Sequence, residues 1–172
     1  KLYFNRNDNF KDPMTYKDVM EVISLTEEIN GIAMDPEVIK SIDISAYRVK
    51  GMWYFDKRQG ELRYRLLGIM PIGKNIKDDD GKNDTDLFWV WYPSIRKVLH
   101  NELVFNDKNN ATRISFDQLL VSRRFSSYIY KEDNIYGDRA VKDYKKPGLE
   151  SILESERIKK EILDFEQDMW NR

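Results

Sequence analysis

Residues 51–55 (GMWYF) and 87–92 (LFWVWY) carry large apolar or aromatic side chains at almost every position. In an extended strand, successive side chains point to opposite sides, so Phe88, Val90 and Tyr92 face one way and Trp89 and Trp91 the other. Neither side reads as a solvent face. A small domain has one core in which to bury a sheet face, so the second face needs a helix layer or another molecule. What covers that second side becomes the functional question.

The bulk numbers narrow the classes. A chain of 172 residues is long enough for one domain with a real core. Hydrophobic residues at 41% and charged ones at 34% exclude a membrane-embedded or a disordered protein. Twenty-nine basic residues against 30 acidic ones leave no overall field to gather nucleic acid or an anionic membrane. The absence of cysteine removes disulfides, thiolate metal sites and cysteine nucleophiles. A single histidine, His100, with no nucleophile beside it, argues against histidine chemistry and most metal sites. There is no glycine-rich phosphate loop and no serine elbow. The opening Lys1-Leu2-Tyr3-Phe4, with neither an initiator methionine nor an apolar signal after it, reads as a processed or trimmed start.

Periodicity gives the elements. Residues 1–14 read as an extended or irregular lead. Thr15, with Asp18 three residues on, caps a helix over 16–28 whose stripe is Tyr16, Val19, Met20, Ile23 and Glu27. Residues 31–41 hold a turn or short helix at Asp35-Pro36. A long hairpin is expected over 47–72, turning at Asp56-Lys57-Arg58-Gln59-Gly60. A four-residue loop sets Phe55, Trp53 and Gly51 on one apolar face with Leu62, Tyr64 and Leu66. Arg48, Lys50, Arg63 and Arg65 fall on the other, where Tyr54 opposite Arg63 suggests a cation–π contact. Residues 87–92 add a third antiparallel strand, which Pro93 ends. Ser94 caps a helix over 94–102 with Ile95, Val98 and Leu99 inward. Ser115, boxed by Gln118, caps another over 115–124 with Phe116, Leu119 and Leu120 inward. Arg123-Arg124 reads as that helix's basic last turn or as a pair for a carboxylate. A short strand ends near Tyr130, and a turn is expected over 134–138. The final helix spans 149–170, with Leu149, Ile152 and Leu153 on one side and Ile158, Ile162, Phe165 and Met169 opposite. The fold class is α+β: a mainly antiparallel sheet built on a long β-hairpin, with flanking helices and a long C-terminal helix.

Three chemistries have partial support. The acidic tract 78–86 invites calcium, but its fifth and sixth positions are Lys82 and Asn83 and its twelfth is Trp89, so the ligand spacing fails. Carboxylate pairs for a cell-wall hydrolase can be drawn from 30 acidic residues, but none lies in an apolar strand end that would raise its pKa. The face with Arg48, Lys50, Arg63 and Arg65 resembles a single-stranded nucleic-acid platform, opposed by the neutral net charge.

The wording of several segments is more specific. Residues 49–58 (VKGMWYFDKR), 87–93 (LFWVWYP), 109–112 (NNAT), 123–131 (RRFSSYIYK) and 153–160 (LESERIKK), closing on 165–170 (FEQDMW), resemble the GldN gliding motility family, called PorN in non-gliding relatives. The likeness runs from about Ile42 onward. It implies a single GldN/PorN-like domain over 1–172 and a periplasmic structural component of the type IX secretion and gliding machinery of Bacteroidetes. The implied partners are an outer-membrane lipoprotein (GldK or PorK), neighbouring subunits in a ring, and the periplasmic part of a GldM- or PorM-like motor protein. No enzyme, cofactor, metal or nucleic acid is implied. The resemblance assigns no interface residue. From the residues themselves, Trp89, Trp91, Arg63, Arg65, Phe165 and Met169 are contact candidates, because they carry area or charge that one core need not bury. A carboxylate-dependent cell-wall hydrolase and a single-stranded nucleic-acid module remain the alternatives.

Overall fold

In the computed structural model of the protein, the described residues are 2–26, 28, 29, 32, 33, 35–77, 83–104, 112–133 and 138–170. Most of the acidic tract, the Asn-rich segment 106–110 and the turn over 134–137 lie outside them. The fold is α+β. Its contacts gather into two compact units, one of residues 1–52 and 64–123 and one of 53–63 and 124–172.

The hairpin strands are β7 (Ile44–Asp56) and β8 (Glu61–Lys74), reaching beyond the expected 47–72; their 44–52 and 64–74 portions belong to the first unit and the tip over 53–63 to the second. Four residues join them, as the loop reading required. The Asp56 carbonyl accepts from the Gln59 and Gly60 amides (3.2 and 2.8 Å), and Gly60 takes φ +65°, which glycine adopts without penalty. Strand β10 (Trp89–Trp91) joins β8 antiparallel, Val90 opposite Ile69 and Trp91 opposite Gly68. Strand β9 (Asp84–Asp86) pairs with the end of β8.

The N-terminal lead is not irregular. Phe4–Asn5 (β1) pairs with β10 and Pro13–Met14 (β2) pairs with β1, giving the order β2-β1-β10-β8-β7 with β7 at the edge. Between β1 and β2, Phe10 takes φ +57° and turns its ring onto the sheet, with centroids 4.9 Å from Trp91 and 6.2 Å from Trp89, both edge-on. The two tryptophans do share a side, and the chain's own lead covers it. Trp89 is only 4% exposed. Two-residue strands leave no periodic trace, which is why the sequence hid them.

Local capping is legible, but helix lengths are not. α1 (Tyr16–Ile23) has the Thr15–Asp18 capping box. It stops at Ile23 rather than 28, because Ser24–Leu25 (β3) pairs with Glu37–Val38 (β6). Strands β4 (Glu28–Ile29) and β5 (Ile32–Ala33) form a further pair. Val19 is buried, but Tyr16 at the head of the expected stripe is exposed. α2 (Tyr92–Asn101) starts two residues before the expected cap: Pro93 opens the helix, where its missing N–H costs nothing, and Ser94 Oγ donates to the Trp91 carbonyl (2.7 Å). Leu103–Val104 (β11) and Ile114–Ser115 (β12) pair ahead of α3 (Phe116–Val121), which carries the Ser115–Gln118 box. Arg123 falls just beyond α3 with φ +54° and lays its guanidinium 5.0 Å from the Tyr64 ring centroid.

Two inward assignments reverse. Val98 and Phe116 point outward, while Asp117 is buried. Tyr92, read as the end of a strand, is buried at the start of α2 and donates its hydroxyl to Asp117 Oδ1. Arg96 Nε donates to both oxygens of that carboxylate (3.1 and 3.3 Å). Burial first, and Asp117 second, push the Tyr92 hydroxyl well above its ordinary 10. Asp117 faces inward because Tyr92 and Arg96 satisfy its charge there.

Candidate functional site

The second unit is built on α4 (Leu149–Trp170), at the expected bounds. Its inward face is polar at one end and apolar at the other: Glu154, Ser155 and Ile158 are buried, and Ile162 and Met169 are half-buried. Ser155 Oγ accepts the Ile129 amide (2.7 Å), so the segment before the helix is tied to it by a side chain. That segment continues into the Lys131–Ala140 bridge and a 3₁₀ turn at Val141–Asp143, where Val141 is 2% exposed.

Charges fix the same face. Glu154 Oε1 accepts from Arg157 Nε (3.0 Å) and Nη2 (2.8 Å) and from the Tyr144 hydroxyl (3.4 Å), while Lys145 Nζ lies 3.7 Å from Oε2. Arg157 also reaches Glu132 (3.6 Å) and Glu161. The Arg157 bonds outweigh the cost of burial and hold the Glu154 carboxyl below its ordinary 4.5, while Arg157 is pushed up by the same contact. Burial first and Glu154 second push Tyr144 up.

The opposite side of α4 has apolar residues that are more than half exposed. Leu149 is 71% exposed, Ile152 54%, Leu153 59% and Leu163 51%. The four fall on one face at helical spacing, with the exposed Glu156, Lys160 and Gln167 completing the row. The sequence marked Leu149, Ile152 and Leu153 as needing cover. Leu163 was missed, although the same spacing reaches it.

The contact candidates divide between the units. Trp89 drops out because its surface is spent beneath Phe10. Trp91 is half-buried in the same cluster, and Arg65 is exposed on β8. In the second unit, Arg63 is half-buried between Asp56 (3.7 Å) and Glu61 (3.4 Å), the partners it takes here. Phe165 lies on the same side of α4 as Ile158 and Ile162 yet is 50% exposed, and Met169 is half-buried. Two further bases of the supposed nucleic-acid face are matched as well, Arg48 by Asp86 and Lys50 by Asp8 (3.6 Å). Of the acidic tract, Asp86 is thus taken by Arg48, and Asp84 accepts from Ser45 Oγ (2.5 Å). Among the described residues, no three His, Cys, Asp or Glu side chains are placed to hold a metal ion.

The family model for gliding motility associated protein GldN matches residues 1–171. The chain belongs to the GldN family. The match takes in the 41 residues before Ile42, which the quoted segments did not reach and which here supply β1, β2 and the Phe10 cover. No curated protein sequence matches the chain. GldN proteins are components of the gliding motility and type IX secretion machinery, a structural family rather than a family of known enzymes. Among the described residues, no helix of this GldN-family chain is long and apolar enough to cross a membrane.

Proposed function

We propose that this chain is a structural subunit of the periplasmic ring of the type IX secretion and gliding machinery, acting over 1–172 as one assembly module. It works by stoichiometric binding to a GldK- or PorK-like outer-membrane lipoprotein and to neighbouring subunits, and meets the periplasmic region of a GldM- or PorM-like motor protein. It is peripheral to the outer membrane through the lipoprotein.

The observation that carries this reading is the apolar row on the outward side of α4, area that the second unit leaves in water. Trp91, Arg63, Arg65, Phe165 and Met169 remain candidates for the other contacts. Glu154, a buried carboxylate, is held below its ordinary pKa by Arg157, which suits a structural clamp and not the general acid of the hydrolase alternative.

The test is size-exclusion chromatography with light scattering on the full chain, alone and with the lipoprotein. A stable complex of defined ratio is expected. A chain that stays monomeric and passes the lipoprotein without binding overturns the assembly role, as does turnover of peptidoglycan by the isolated chain.

A further inference from the structure

The outward row of α4 has a pattern that selects its occupant. Leu149, Leu153, Glu156, Lys160, Leu163 and Gln167 follow one another in alternating steps of four and three, the spacing that keeps a seam on one side of a helix that packs along another. All six are exposed. The inward row has the Arg157–Glu154 clamp and the Ser155 bond to hold it, so the outward row is presented on a fixed support.

Laid antiparallel against its own copy about a two-fold axis at the level of Ile158, this row meets itself in a matching order. Glu156 falls opposite the second copy's Lys160, and by symmetry Lys160 opposite its Glu156. Leu153 falls opposite Leu163, and Leu149 opposite Gln167. A parallel pairing sets Glu156 against Glu156 and Lys160 against Lys160, like charges that repel in register. The row is therefore self-complementary in one direction only, as an isologous contact demands.

The geometry points to a two-fold antiparallel pairing of α4 between two copies of this chain, with leucine layers on either side of a central Glu156–Lys160 double ion pair. This rests on the assembly reading above and names the partner of its surface. It also goes beyond a ring, because a ring closes through head-to-tail contacts and a two-fold contact joins subunits in pairs. Lys160 makes no ion pair among the described residues, whereas Lys159 Nζ already lies 2.8 Å from Glu156 and 3.3 Å from the Ser127 carbonyl. Dimerisation therefore draws Glu156 into a pair shared with the second copy. A single helix pair is a small interface, below the roughly 1,200 Å² of tight complexes, so association in the micromolar range is expected.

Sedimentation velocity on the full chain over a concentration series reads this out. Leu153→Glu is expected to abolish the dimer with the circular dichroism unchanged, since Leu153 is 59% exposed and lies opposite the packed side of α4. Glu156→Lys alone and Lys160→Glu alone each set like charges in both central layers and are expected to weaken dimerisation about tenfold. The Glu156→Lys/Lys160→Glu double reversal restores it. A wild-type chain that is monomeric at all concentrations overturns the proposal, as does a double reversal no better than either single change. If the lipoprotein complex still forms in that case, the pairing fails while the assembly role stands.

Discussion

The Phe10 ring occupies the place where a side chain on Gly68 would begin, so the ring that covers the tryptophan strand rests directly on a glycine backbone. The carbonyl of Val90 closes the other side of that position at 3.3 Å. Gly68→Ala must therefore lift Phe10 off Trp89 and Trp91. The expected cost is about 1–3 kcal/mol, as for other overpacked sites. Urea unfolding measures it, and a red shift of tryptophan emission in the folded variant reports the lost cover.

The Tyr92–Asp117–Arg96 cluster makes a graded prediction. Tyr92→Phe leaves Asp117 its two bonds from Arg96 and should cost about 1 kcal/mol. Asp117→Ala strands a buried tyrosine hydroxyl and unpairs Arg96, and should cost about 3 kcal/mol. Denaturant midpoints at neutral pH separate the two.

Tyr92 also sets an alkaline limit. Its folded pKa is raised above the ordinary 10, so the folded state keeps a proton that the unfolded state has lost. That contribution to stability is fully present below pH 10 and is lost as pH rises beyond it. Tyr92→Phe should flatten the fall in thermal midpoint above pH 10 relative to the native chain.

Glu154 gives the acid counterpart. Arg157 holds its folded pKa below 4.5, so the bond's stabilisation is present above pH 4.5 and is lost as pH falls through the lower folded value. Glu154→Gln should lower stability at pH 7 by about 1–2 kcal/mol and lose less of what remains on acidification. A thermal-midpoint series from pH 7 to pH 3 (roughly the range over which carboxylates titrate) reads both effects.

Ser155 tests the tie between α4 and the segment around Ile129, which is irregular up to the Lys131–Ala140 bridge rather than the short strand expected to end near Tyr130. Ser155→Ala removes the acceptor of the Ile129 amide at a residue 1% exposed, which should cost about 1–3 kcal/mol. Hydrogen exchange at Ile129 should quicken by more than at amides within α4.

Two capping boxes and the hairpin turn were legible because their chemistry is local, whereas the cap expected at Ser94 was displaced when Pro93 let the helix begin at Tyr92. The Thr15–Asp18 and Ser115–Gln118 boxes need only a residue and its third neighbour, and the hairpin turn needs only Gly60 at its end. The α4 bounds followed from a long periodic run. Where long-range pairing competed with local propensity, the reading failed. α1 lost its last turn to the β3–β6 pair, and Tyr92 went to a helix because Asp117 and Arg96 wait for it there.

The candidate surface divides the same way. Period alone placed Leu149, Ile152 and Leu153 on one face of a helix and Ile158, Ile162, Phe165 and Met169 on the other, because helix geometry fixes which side chains are neighbours, although Phe165 is left 50% exposed. Which face would be buried was decided by partners far along the chain: Ile129 for Ser155, Lys145 and Glu132 for the Glu154–Arg157 clamp. Trp89 shows the converse. Its side of the strand was legible, but its cover came from Phe10, whose approach depends on two short strands and one left-handed residue that no local pattern encodes.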